Sequence, residues 1–168
     1  NPIKDGLKEL NLELSLHANA YTTFDHTRHY LDIPNATSNR MATSLSLLAR
    51  MAYKAPINRS DMQDEIGVVS EEWRRAQPEK QNYEFQRAQR EFQGSRYKQR
   101  LPLGSIKSIE QVSTQALKEY YAVHYRPENA TLILTGDFDL PDTIAAVEQH
   151  FSPWKTKRGK QATIYPKP

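Results

Sequence analysis

Apolar residues in this chain recur with helical spacing in some stretches and with strand spacing in others. Leu7, Leu10 and Leu14 stand three and four apart, which predicts a helix over residues 3–14. Residues 19–33 carry Tyr21, Thr22, Thr23 and Phe24, then Thr27, Tyr30, Leu31 and Ile33. β-branched and aromatic residues on either side of a polar break at Asp25–His26 predict two strands or one bent strand, closed by Pro34. Residues 38–54 place Met41, Leu45, Leu48 and Ala52 on one helical face, and Pro56 ends that helix.

A further helix starts near Ser60, with Gln63 as the capping-box partner, and runs at least to Arg75. A longer helical stretch follows over about 79–93 and stops before Gly94. Residues 97–106 read as loop. Residues 113–125 form another helix, with Leu117, Tyr120, Tyr121 and His124 on its apolar side. Ala130–Thr135 is an apolar run ended by Gly136–Asp137 and reads as a buried strand. Asp139 caps a last helix, with Pro141 in its first turn, that runs to about Phe151. Ala162–Tyr165 adds a candidate edge strand.

Composition sets the class. The chain has 168 residues, enough to bury a core as one domain. Its apolar fraction is ordinary, and no apolar run reaches membrane-spanning length, so membrane insertion is not expected. No charged-then-apolar leader opens it. With 0 cysteines it has no disulfide, no thiol nucleophile and no Cys-based metal site. The net charge of +3 is unevenly spread: Arg74–Lys107 holds nine Lys/Arg against three Asp/Glu, and Lys155, Lys157, Arg158 and Lys160 follow. Basic patches can hold nucleic acid. Here the first is interleaved with Tyr, Phe and Gln at helical spacing, without the Gly-aromatic pattern of an RNA-binding sheet. It reads as a solvated surface, and no nucleic-acid partner is expected.

The helix after Ser60 carries the candidate chemistry. At 100° per residue Glu65 and Glu72 fall about 20° apart. Val68, Val69, Met62, Trp73 and Ile66 surround them, whereas Asp64 and Glu71 fall outside this arc. Carboxylates on a buried face are costly unless a base or a metal meets them. The helix alone therefore leaves three readings open: a pair of buried salt bridges, a helix that buries less than its pattern implies, and a metal site.

The stretch from Glu65 through Glu72, Trp73 and Arg74 resembles the glutamate helix of the insulinase/pitrilysin-type (inverzincin) zinc metallopeptidases. Asn19-Ala20-Tyr21-Thr22, then Asp25-His26-Thr27 and Tyr30, resembles that family's substrate-side strand. Leu101-Pro102-Leu103-Gly104, Tyr120–Pro127, Asn129-Ala130 and Gly136-Asp137 match later landmarks in order. The resemblance implies an α+β fold: an antiparallel sheet with helices packed on one face, as in the insulinase/mitochondrial-processing-peptidase-like metallohydrolase domain. Residues 1–168 would form a single domain, most of the N-terminal peptidase domain of a longer protein.

In that family an H-x-x-E-H motif gives two zinc ligands and a general-base glutamate, zinc acidifies its bound water, and a later glutamate completes the metal site. The resemblance makes Glu72 that ligand and Glu65 the carboxylate that orients the ligands. Asn19, Ala20, Tyr21 and Thr22 would bind peptide substrate by pairing with it as an added strand.

The chain departs from the family in having no H-x-x-E-H. Its histidines are His17, His26, His29, His124 and His150. His26 and His29 lack the glutamate, and three residues apart on a strand they point to opposite faces. Counting back from Glu72, the motif would fall just before Asn1. The expectation is therefore a fragment of a zinc-dependent endopeptidase acting on extended peptides. Alone it would bind no zinc and be inactive. Its partners would be peptide and a second half of the same protein or a homologous subunit. The alternative is a non-catalytic peptide-binding or structural homologue. Many such peptidases act in the bacterial envelope, which points to the periplasm or cell envelope.

Overall fold

The computed structural model describes residues 2–75, 83, 86, 87 and 90–156. Its elements are α1 (Pro2–Glu9), β1 (Ala18–Thr22), β2 (Thr27–Leu31), α2 (Ser38–Tyr53) and α3 (Arg59–Arg75), then α4 (Ile106–Gln111), α5 (Thr114–His124) and α6 (Leu140–Phe151). Short 3₁₀ turns lie at Arg96–Gln99 and Pro127–Asn129. Among the described residues the sheet is a two-stranded antiparallel β1–β2 hairpin. The fold is helix-rich α+β. The expected helix over 79–93 and the strand at 162–165 lie largely or wholly outside the described residues.

The chain divides into two compact units. One comprises residues 1–21, 27–56 and 122–161, the other 22–26, 57–121 and 162–168.

In the first unit α2 is the central helix, capped by Thr37, whose side chain accepts from the Arg40 amide. It buries two faces. Leu47 joins Leu7, Leu10, Leu12 and Ala18, while Met41 and Leu45 join Ala146 of α6. Burial on both sides explains why the single stripe read from sequence is too narrow. α1 is shorter than predicted. It ends at Glu9, and Asn11 takes a left-handed conformation (φ 52°) that swings Leu12 into the core and leaves Leu14 60% exposed. The Arg40 guanidinium closes this corner, donating to the Leu10 carbonyl at 2.8 Å and the Pro34 carbonyl at 3.2 Å.

α6 begins as predicted. The Asp139 carboxylate accepts from the Asp142 amide at 2.8 Å, and Pro141 sits in the first turn. The expected buried strand at 130–135 is not one. Ile133 is 79% exposed, and the run forms no strand among the described residues. Leu134 reaches the Met41–Leu45–Ala146 cluster, but among the described residues no neighbouring strand covers the rest of the run. Just before it, Arg126 is buried. Its Nε donates to the Ala122 carbonyl at 3.2 Å, and Nη1 lies 3.5 Å from Glu128, whose carboxylate also accepts from Thr156.

In the second unit α3 packs against α4. Asn58, not Ser60, caps α3: its Oδ1 accepts from the Asp61 amide at 2.9 Å and from the Ser60 hydroxyl. Asn and Ser are comparable N-caps, so composition alone could not choose between them. The expected loop at 97–106 contains the 3₁₀ turn, and α4 opens at its end with a Ser105/Ser108 capping box. On α5, Tyr120 and His124 are exposed rather than on a packed side.

Candidate functional site

α3 carries Glu65 and Glu72, seven residues apart and so nearly superposed along the helix. Both are exposed. This corrects the expectation that they sit on a buried face with partners. The packed stripe consists of Met62, Ile66, Val69, Ser70 and Trp73, with Ser70 only 4% exposed. A polar residue thus holds the middle of the buried face, and the stripe is displaced from the glutamates. Beyond them Val68 is 60% exposed. The two carboxylates therefore lie between a packed apolar stripe and an exposed valine, where water solvates them.

The neighbouring charges are engaged otherwise. Arg74 pairs with Glu71 one turn back and lies 3.7 Å from Glu110 of α4, tying the two helices. Neither Glu65 nor Glu72 takes part in these pairs. Ser70 Oγ and Trp73 Nε1 are buried with no hydrogen-bond partner among the described residues. Nothing in the sequence signalled these two orphans, because a serine inside a helix normally reads as an exposed position.

The residues read as a substrate strand form β1. Ala18 is buried, and Asn19, Ala20, Tyr21 and Thr22 are all exposed. Asn19 Oδ1 accepts from the Ala20 amide at 2.8 Å. The turn after this strand is held by aromatic packing. Phe24 stacks on Tyr97 at 4.8 Å and meets Phe92 edge-on at 5.3 Å. The Tyr97 hydroxyl donates to Asp25, which holds the phenol above its ordinary range. This clamp joins residues about seventy apart and leaves no local pattern to read.

His26 and His29 are separated in environment. His26 is exposed and contacts the Thr23 hydroxyl at 3.0 Å. His29 lies on β2, half-buried, its Nε2 without a partner among the described residues, and burial holds its imidazole below the usual value. Among the described residues no three His, Asp or Glu side chains converge. Glu72 offers one carboxylate, whereas a catalytic zinc uses three protein ligands, and no such set converges among the described residues.

Comparison with known proteins places this geometry in context. The family described as "Peptidase M16 inactive domain" matches residues 111–168. A probable zinc protease, PqqL, from Haemophilus influenzae is 27% identical over 152 residues, 90% of this chain and 16% of that protein. Two solved structures share the fold. The ferredoxin protease FusC in complex with Arabidopsis ferredoxin superposes with a TM-score of 0.88 at 24% identity, covering 97% of this chain and 18% of that one. The periplasmic protease PqqL from Escherichia coli gives 0.82 at 22%, covering 96% and 18%. The chain thus spans less than a fifth of the length of each of these three relatives.

Proposed function

We propose, from a chain homologous to the insulinase-type M16 zinc peptidases, that these residues are the Glu72-bearing part of the N-terminal peptidase domain of a zinc endopeptidase. The observation that carries the reading is the strip on α3. Glu65 and Glu72 stand one above the other, exposed, between Val69 and the exposed Val68. A mixed carboxylate and apolar strip suits contact with another element better than it suits solvent.

In this reading Glu72 is a zinc ligand and Glu65 orients the ligand set, with two histidines supplied from elsewhere in the longer protein. Zinc belongs to that assembled protein. Asn19, Ala20, Tyr21 and Thr22 present an exposed strand to extended peptide, so recognition rests on backbone pairing rather than one side chain. A second half of the same protein, or a homologous subunit, completes the cleft. The periplasm or cell envelope is the compartment, in keeping with the name of the Escherichia coli relative.

The non-catalytic homologue is the second reading, favoured by the description of the matching family as an inactive domain. One experiment separates the two. The full-length protein, purified and stripped of loosely held metal, should retain about one zinc and cleave an unfolded peptide. Glu72→Gln should abolish both. Metal-free protein with an intact fold and no cleavage would establish the non-catalytic reading.

A further inference from the structure

The tip of the β1–β2 hairpin, Thr22–His26, and the 3₁₀ turn Arg96–Gln99 both lie in the second unit. A cluster of rings joins them. Phe24 stacks on Tyr97, and Phe92 meets both edge-on, 5.3 Å from Phe24 and 5.4 Å from Tyr97. The Tyr97 hydroxyl adds its hydrogen bond to Asp25. The 3₁₀ turn is itself braced: the Ser95 side chain accepts from the Tyr97 amide at 3.1 Å, and the Arg100 amide donates to the Tyr97 carbonyl at 3.1 Å. Tyr97 anchors the turn, while Arg96 and Arg100 are exposed and Lys98 is half-buried.

The turn is also the centre of a charge imbalance. Residues 90–107 carry Arg90, Arg96, Lys98, Arg100 and Lys107 against Glu91, which pairs with Arg87. Residues 74–107 as a whole hold nine Lys/Arg against three Asp/Glu, so a positive excess remains whatever the acids pair with. We propose that Arg96, Lys98 and Arg100 select acidic residues in the extended peptide that pairs with β1. This rests on the reading of residues 19–22 as a peptide-pairing strand, and it is independent of zinc. Thr22 ends that strand and leads directly into the tip, so a peptide running past Thr22 comes to the turn that Tyr97 anchors there. A guanidinium meets a carboxylate with two parallel donors, and clustered cations attract an anionic segment before contact. Each exposed pair is weak, so the preference comes from several charges acting together and falls with salt.

Two other anionic partners fit less well. A site for single-stranded nucleic acid stacks bases on open aromatic faces, whereas Phe24, Phe92 and Tyr97 are half-buried against one another. Binding at an anionic membrane surface needs apolar side chains that insert beside the charges. Here Phe92, Tyr97, Leu101, Leu103 and Ile106 are all half-buried rather than exposed.

The test uses the full-length protein and two extended peptides that differ in one stretch, Asp-Glu-Asp-Glu in one and Asn-Gln-Asn-Gln in the other. Binding is read by fluorescence anisotropy and cleavage by chromatography, in about 20 mM and about 500 mM salt. The acidic peptide should bind about tenfold more tightly in low salt, and the difference should fall below about twofold in high salt. Arg96→Gln combined with Arg100→Gln should remove the preference, and Arg96→Lys with Arg100→Lys should keep most of it. Lys4→Gln with Lys8→Gln, the same loss of charge on α1, should leave it in place.

Equal binding of the two peptides in low salt overturns the proposal. So does a preference that survives the double glutamine change at Arg96 and Arg100, or one lost equally in the α1 variant. Binding of polyuridylate or of phosphatidylglycerol vesicles that depends on Arg96 and Arg100, with no preference between the peptides, assigns the turn to nucleic acid or membrane and overturns it too. Cleavage of both peptides at equal rates and with equal affinity would uphold the peptidase reading while this inference fell. Tighter binding of the acidic peptide by a protein that cleaves neither would uphold this inference while the peptidase reading fell.

Discussion

The hydroxyl of Tyr53, at the last residue of α2, donates a 2.7 Å hydrogen bond to the backbone carbonyl of His150 in the last turn of α6. The same ring stacks on Trp154 with centroids 5.3 Å apart. One side chain thus ties the C-terminal ends of the two packed helices of the first unit. Tyr53→Phe keeps the stack and removes the bond, and should lower unfolding free energy by about 1 kcal/mol. Tyr53→Leu should cost more, because it loses the aromatic contact as well. Urea titrations of the three proteins check the order.

Gly6 sits where α1 crosses α2. A β-carbon there would lie 2.4 Å from Leu47 Cδ2 and 3.2 Å from its Cγ. Alanine is the better helix former by about 1 kcal/mol. Overpacking against a leucine only 3% exposed costs about 1–3 kcal/mol, so the clash should win. Gly6→Ala is expected to destabilise, and Gly6→Ala combined with Leu47→Ala should cost less than the sum of the two single changes. Additive losses in thermal unfolding would contradict this packing.

Burial holds the His29 imidazole below its ordinary value of 6.5, and its Nε2 finds no partner among the described residues. The folded state therefore favours the neutral ring. The stability this gives is present above about pH 6.5, where the unfolded side chain is also neutral, and is lost as pH falls through the lower folded-state value. His29→Leu should flatten the acid limb of a stability-against-pH curve. An acid limb unchanged in that variant would place its origin in other groups.

Glu65 and Glu72 are solvated in this structure, so Glu65→Gln and Glu72→Gln should each change the stability of the 168-residue chain by no more than about 0.5 kcal/mol. In the full-length protein the proposed roles separate them. Glu72→Gln should weaken zinc binding the more strongly, and Glu65→Gln by about ten- to a hundredfold, as for a residue that orients a ligand. Equal and negligible effects on zinc affinity would remove both from the metal site.

What could be read from sequence followed from how local its cause was. The β1–β2 hairpin, α2 and the Asp139 cap of α6 rest on neighbours within a few residues, and they lie where the pattern put them. Where pattern and structure differ, the cause is a backbone turn or a distant partner. Leu14 was assigned inward because helical spacing continued through it, but the left-handed Asn11 ends that register. Polar residues usually face out, so the pattern gives no sign that Ser70 is buried, and the packed stripe that includes it leaves Glu65 and Glu72 exposed. The Tyr97–Asp25 bond left no local trace. The carboxylate pair itself was visible as a seven-residue repeat of glutamate, though its exposure was not.

Arg126 sits under the 126–129 turn with 7% of its surface exposed. A buried guanidinium adds little net stability, since desolvation consumes most of what its contacts return. What it can supply is information. Its fixed fork of donors meets two acceptors, the Ala122 carbonyl and the Glu128 carboxylate, and a chain slipped by one residue through this corner would strand a charge out of water. Arg126→Met should therefore leave the melting temperature nearly intact while broadening the signals of residues 122–128. The side chain acts less as glue than as a key that admits one threading of the corner.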